Sequence, residues 1–130
     1  MQTNDGQNQL LRFLDGRKKI LMLPEQIVRL ESLNNYTRIY FTEHPPVLMA
    51  KVLRLYDDQL RPFGFVRPHR SHLINPLFIS EVTLKGTIRM MDASIIEPSR
   101  RKKHECFSIF SKHNSAFSKY ALSRKIYSLF

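Results

Sequence analysis

The sequence predicts a β-rich module of many short strands with only one or two helices. Short apolar runs rich in β-branched and aromatic residues recur along the chain, each closed by Pro, Gly or Asn. Apolar residues fall clearly at helical spacing in one stretch, Val52 to Leu60. The chain has 130 residues, 42% of them apolar, with nine Phe and five Tyr. That is the length of one domain and enough apolar surface for an ordinary core.

Residues 1–15 are polar apart from a patch between Leu10 and Leu14, and are expected to form a loosely attached lead-in. Lys19 to Leu23 predicts the first strand. It is closed by Pro24, whose fixed φ suits the first turn of a short helix. Ile27 to Glu31 and Tyr36 to Phe41 predict the next two strands, joined by a turn over Leu33, Asn34 and Asn35. Pro45 and Pro46 interrupt the pattern before a fourth strand, Val47 to Lys51. Val52, Leu55, Tyr56 and Leu60 then share one helical face, and Arg61 followed by Pro62 ends that helix. Five more strands are predicted over Phe65–Arg67, Ser71–Ile74, Ile79–Leu84, Thr87–Met90 and Ser94–Ile96, with Lys85 and Gly86 as the clearest hairpin turn. Ser99 can cap a helix beginning at Arg100. Past Phe110, the residues Phe117, Tyr120, Ala121 and Ile126 or Tyr127 can line one face of a last helix.

Charge narrows the function. Lys and Arg number 21 against 11 Asp and Glu, a formal net charge of +10. Residues 1–65 hold nine basic and seven acidic side chains, whereas 66–130 hold twelve and four. Such local enrichment points to a polyanionic partner, nucleic acid before an acidic membrane surface. No apolar run approaches the ~18 residues of a membrane span, and the polar start does not read as a signal peptide. The single cysteine, Cys106, cannot form an intramolecular disulfide and suits a reducing, cytoplasmic setting.

Catalysis finds little support. The sequence has no paired carboxylates on one element, no Gly-rich phosphate loop and no nucleophile elbow. His69 and His72, taken as one strand, would point to opposite faces and share no metal. No enzyme activity, cofactor, metal or small-molecule substrate is expected. Arg61 to Pro68 imitates the aromatic signature of an RNA-recognition motif. Pro62 and Pro68 nevertheless stand where that signature needs glycine and an aromatic, which favours Phe63 and Phe65 as core residues.

Three segments remain. In Ser99 to His104, four cations (Arg100, Arg101, Lys102, Lys103) would crowd the positive end of a helix, at a cost of about 0.3–1 kcal/mol each. A phosphate held by the cations and the free N–H groups would offset that cost. In Arg67 to His72, Arg67, His69 and Arg70 sit where strand gives way to turn, and an Arg fork can span guanine O6 and N7; the alternative has Arg67 in an internal ion pair and Arg70 exposed. The loop Ser32 to Thr37 offers Asn and Thr to bases or phosphates, and equally reads as a plain hairpin turn.

Taken with their order and spacing, these segments resemble the LytTR DNA-binding domain of bacterial transcription regulators. The matching stretches are Ile27 to Tyr40, Phe65 to Asn75 with Ile79, and Ile96 to Arg101. The string F-x-R-x-H-R-S-x-L-[IV]-N is carried by Phe65, Arg67, His69, Arg70, Ser71, Leu73, Ile74 and Asn75. The match spans Gly16 to Phe110, leaving 111–130 as a C-terminal extension that either packs on the module or forms a homodimer contact. The resemblance implies an elongated, mainly β fold of small antiparallel sheets, with loops that enter successive major grooves of double-stranded DNA. It implies base contacts at Asn35, Tyr36, Thr37, Arg70 and Arg100. Arg67, His69, Ser71, Asn75, Ser99, Arg101, Lys102 and Lys103 become phosphate contacts or loop framework, with Ser71 and Asn75 bracing their loop. It further implies two copies on direct repeats. His72 and Pro68 depart from the aromatic and aliphatic residues usual in that family and can re-aim the Arg70 loop. Some fifteen residues precede the module, too few for a phospho-receiver domain, which leaves a stand-alone regulator or a piece of a longer one.

The function expected is therefore a sequence-specific, double-stranded DNA-binding transcription regulator. Two competing expectations are a membrane-surface or protein-interaction module using an amphipathic Arg100–Phe130 segment, and single-stranded RNA binding on aromatic strands.

Overall fold

A computed structural model describes residues 10–112 of the chain. Ten strands and two α-helices follow one another as β1 (Leu11–Asp15), β2 (Lys18–Met22), β3 (Ile27–Leu33), β4 (Tyr36–Phe41), β5 (Val47–Met49), α1 (Leu53–Leu60), β6 (Val66–His69), β7 (His72–Ile74), β8 (Ile79–Val82), β9 (Ile88–Met90), β10 (Ile95–Ile96) and α2 (Lys103–Lys112). Every strand pairing is antiparallel. A β1–β2 hairpin, a five-stranded sheet in the order β5-β4-β3-β7-β6 and a three-stranded sheet in the order β10-β9-β8 result. The fold is mainly β, as its sequence predicts.

The five-stranded sheet is apolar on both faces, because neighbouring strand residues point to opposite sides. Leu30, Ile39 and Leu73 face one core, shared with Leu53, Tyr56 and Leu60 of α1 and with Leu11, Phe13 and Ile20 of the hairpin. Val66 and Ile74 face the other core, which Ile79, Val82, Ile88, Met90 and Ile96 of the small sheet complete together with Cys106 of α2. Leu30, Leu60, Leu73, Ile74 and Ile88 are fully buried. Each stabilises the fold by about 1.5–3 kcal/mol. Phe65 belongs to the first core with Phe63 against it, the structural place expected of them.

Three sequence expectations about these elements need correction. The buried face of α1 is Leu53, Tyr56, Asp57 and Leu60, whereas Val52 precedes the helix and is exposed, as is Leu55. Leu11–Asp15 is no loose lead-in: it pairs along its whole length with Lys18–Met22, and Phe13 meets Phe41 edge to face and stacks on Tyr56. Leu11, Phe13 and Ile20 are the inward residues of a two-stranded alternation too short to stand out in a polar context. Helix α2 begins at Lys103, not at Arg100. The Ser99 backbone carbonyl accepts the Lys102 and Lys103 N–H groups, closing a separate turn. Arg100, Arg101 and Lys102 thus precede the helix, and Glu105 in its first turn approaches Lys102 at 3.8 Å. The dipole penalty inferred from the sequence is correspondingly smaller. The face expected from Phe117 to Tyr127 lies outside the described residues.

Candidate nucleic-acid interface

Two hairpin turns stand side by side at one end of the five-stranded sheet. The first is the two-residue turn Asn34–Asn35, closed by the Leu33–Tyr36 pair. Asn34 takes φ +59°, a left-handed conformation that Asn tolerates better than most side chains. The second is Arg70–Ser71, closed by the His69–His72 pair. Since β3 lies against β7, the turns are bonded to each other: Ser32 N–H donates to the Ser71 carbonyl at 2.9 Å. Two strand spacings separate their centres, roughly 10 Å.

The third segment joins them through a bulge. Along β6, Val66 pairs with Ile74 and His69 with His72, so one residue more lies on β6 than on its partner. Buried Pro68, lacking an N–H, occupies that irregular place. Its carbonyl turns outward and accepts Ser99 N–H at 2.9 Å, docking the Ser99–Lys102 turn beside the Arg70 turn. A cleft of ≈ 530 Å³ opens between them, lined by Asp57, Arg67, His69, Arg70, Arg101 and Lys102 with Ser99.

Within this assembly the predicted residues divide. Asn35, Tyr36, Arg70, Arg100 and Arg101 are exposed, and Arg100 does not line the cleft. Lys103 is exposed too, its aliphatic stem lying over Gly86. His69 and Ser71 are half-buried, with Ser71 N–H donating to His69 Nδ1 at 3.1 Å. Asn75 is 3% exposed. Its Nδ2 donates to Ile27 O at 3.0 Å and its Oδ1 accepts Leu77 N–H at 3.1 Å, so it braces the base of β7.

Thr37 departs from expectation. It is fully buried, and its hydroxyl donates to Lys51 O at 2.7 Å, leaving no side-chain atom for a base. The two-residue turn decides this, since Tyr36 points outward and the next residue must point in. Arg67 takes the framework alternative rather than the phosphate one: its guanidinium lies 3.6 Å from the buried Asp57 carboxylate and donates to Arg70 O at 2.7 Å. His69 and His72 do not diverge: the turn between them makes them register partners, with ring centroids 5.8 Å apart. Burial, foremost, holds the His72 imidazole below its ordinary range, while Glu31 pulls the other way. Among the described residues no three His, Cys, Asp or Glu side chains gather as metal ligands, and no helix is long and apolar enough to cross a membrane.

A family model, the LytTr DNA-binding domain, matches residues 17–111. The chain belongs to that family. Its fold is similar to the solved LytTr DNA-binding domain of a Bacillus cereus protein assigned as a methyl-accepting/DNA response regulator, with a TM-score of 0.67 and 15% identity over 77% of this chain and 94% of that one. No curated protein matches the sequence.

In this LytTr domain, sequence reasoning missed Lys51 and Asp57. Lys51 is exposed, and the Thr37 bond to its carbonyl ties it to the end of the sheet that carries the Asn34 turn. A lone Lys ending a strand gives no signal of this. Asp57 looks in sequence like the polar side of an amphipathic helix, yet its side chain is 6% exposed. Thr37→Val should leave Lys51 O unpaired and cost about 1–2 kcal/mol in a urea melt. Duplex affinity should be unchanged. A loss of affinity without a loss of stability would return Thr37 to the contact surface.

Proposed function

We propose that this LytTr domain is a sequence-specific transcription regulator that presents the turned end of its five-stranded sheet to the major groove of double-stranded DNA. The observation that supports this reading best is the gathering of the three segments. Residues far apart in sequence meet at one rim through the Ser32–Ser71 and Ser99–Pro68 bonds. A two-residue turn is narrow enough to enter a groove about 12 Å wide, and the loops are read as entering successive major grooves. Arg70 carries the fork for guanine, with Arg100, Asn35 and Tyr36 flanking it at base edges. Arg101, Lys102, Lys103 and Lys51 meet phosphates and set register. The domain acts by binding, without catalysis, and two copies occupy direct repeats.

In vitro selection from random duplexes tests this. A recovered motif is expected, and pools that never enrich would refute sequence-specific binding. On the selected duplex, Arg70→Ala should cost about 1–3 kcal/mol by fluorescence anisotropy and little on random DNA. Equal losses on both would reassign Arg70 to phosphate.

A further inference from the structure

We infer that Asp57 of α1 is a positioning residue that acts through Arg67 to hold the Arg70 turn in its reading conformation, so that the helix behind the sheet sets sequence discrimination. This rests on the DNA-binding reading above.

Asp57 lies buried at the floor of the cleft, where two cations share its Oδ2. Arg61, one helical turn on, approaches at 2.7 Å and Arg67 at 3.6 Å. The two differ in setting, since Arg61 is 59% exposed and Arg67 only 21%. Arg67 Nη1 faces the carboxylate while Nη2 of the same plane donates to Arg70 O at 2.7 Å. A guanidinium is rigid, so anchoring one nitrogen aims the other, which a lysine ammonium cannot do. The opposite strand of the turn is fixed by the Ser32 bond to Ser71 O and the Ser71 bond to His69. The Arg67 bond adds a fixed point at the Arg70 peptide itself.

Electrostatics sharpen the inference. A carboxylate beneath Arg70, Arg101 and Lys102 weakens the attraction of any polyanion for that cleft. Stabilising α1 does not require it to reach Arg67, because Arg61 already supplies an i,i+4 partner. The bridge to the turn is what distinguishes Asp57 from an ordinary helix pair.

Asp57→Asn keeps the shape and removes the charge. The ratio of selected-duplex to random-duplex affinity is expected to fall about tenfold, with random affinity equal or higher. Arg67→Lys should produce the same fall. Asp57→Asn added to it should produce no more, since one relay is already broken. Arg61→Ala should keep the ratio, whereas a purely helix-stabilising Asp57 predicts that Arg61→Ala and Asp57→Asn behave alike. In the free protein, hydrogen exchange at the Arg70 and Ser71 amides should quicken in Asp57→Asn while the Leu30 and Leu73 amides stay protected. Unchanged discrimination with unchanged exchange, or additive losses in the double variant, would overturn the relay. Should the wild-type chain fail to distinguish the two duplexes, the DNA reading falls, and turn exchange alone then decides whether Asp57 holds the turn.

Discussion

Raising salt from about 50 to about 200 mM should weaken binding to the selected duplex about a hundredfold, a log–log slope of roughly −3.5. The expectation comes from counting cations that are free to meet phosphate. Arg67 is removed from the count, because its guanidinium is engaged by Asp57 and by Arg70 O. Arg70 and Arg100 are assigned to bases; Lys51, Arg101 and Lys103 are exposed, and Lys102 lines the cleft beside them. About four neutralised phosphates, each releasing counterions, give that slope. Arg101→Ala should flatten it by about one, and Arg67→Lys should hardly move it. Anisotropy titrations at several salt concentrations measure both. A slope shallower than about −2 would mean that the rim is not the phosphate-binding surface.

Asn75→Ala should destabilise the fold by about 2–4 kcal/mol while leaving the duplex affinity of the folded fraction unchanged. Asn75 is almost fully enclosed, and its amide is used from both ends. Nδ2 donates to Ile27 O and Oδ1 accepts Leu77 N–H, tying the start of β3 to the short turn between β7 and β8. Alanine leaves a buried acceptor and a buried donor without partners, and each costs about 1–3 kcal/mol. Urea unfolding should show a lower midpoint at constant slope. Full stability combined with lost binding would instead make Asn75 a DNA contact.

Most strands were legible because their signal is local. Tyr36–Phe41 alternates between an exposed and a buried side, His72–Ile74 is a short run with Leu73 and Ile74 buried on opposite faces, and the turns between strands carry Asn, Gly or Pro. The first strand is not legible, since the exposed Leu10 and Leu14 beside the buried Leu11 and Phe13 blur the alternation into an apolar patch. Its partner Lys18–Met22 supplies the other half of that hairpin's core face. The start of α2 was misplaced for a related reason. Ser99 has a good capping side chain, but its backbone N–H is bonded to Pro68, a strand far away in sequence.

The residue types of the candidate site were readable as well: a basic turn, a basic run and an Asn-rich hairpin. Their roles were less so. Thr37 and Arg67 have side chains suited to DNA, and both are turned inward, one to Lys51 O and the other to Asp57. Three positions apart on one strand, His69 and His72 would point to opposite faces; the turn between them makes them neighbours.

Amino-acid order by itself determined the β-rich class, the positions of nearly every strand, the excess of cations in the second half and the family string from Phe65 to Asn75. Tertiary structure alone decided which of those cations face outward, that three distant turns share one rim, and that a helix carboxylate stands behind the Arg70 turn. The reason is physical: backbone propensity and periodicity act over a few residues, whereas a side chain's partner depends on register and on which strand lies alongside. Arg67, in the stretch of β6 that carries the extra residue, donates to Arg70 O and so braces the turn instead of lying free on the surface.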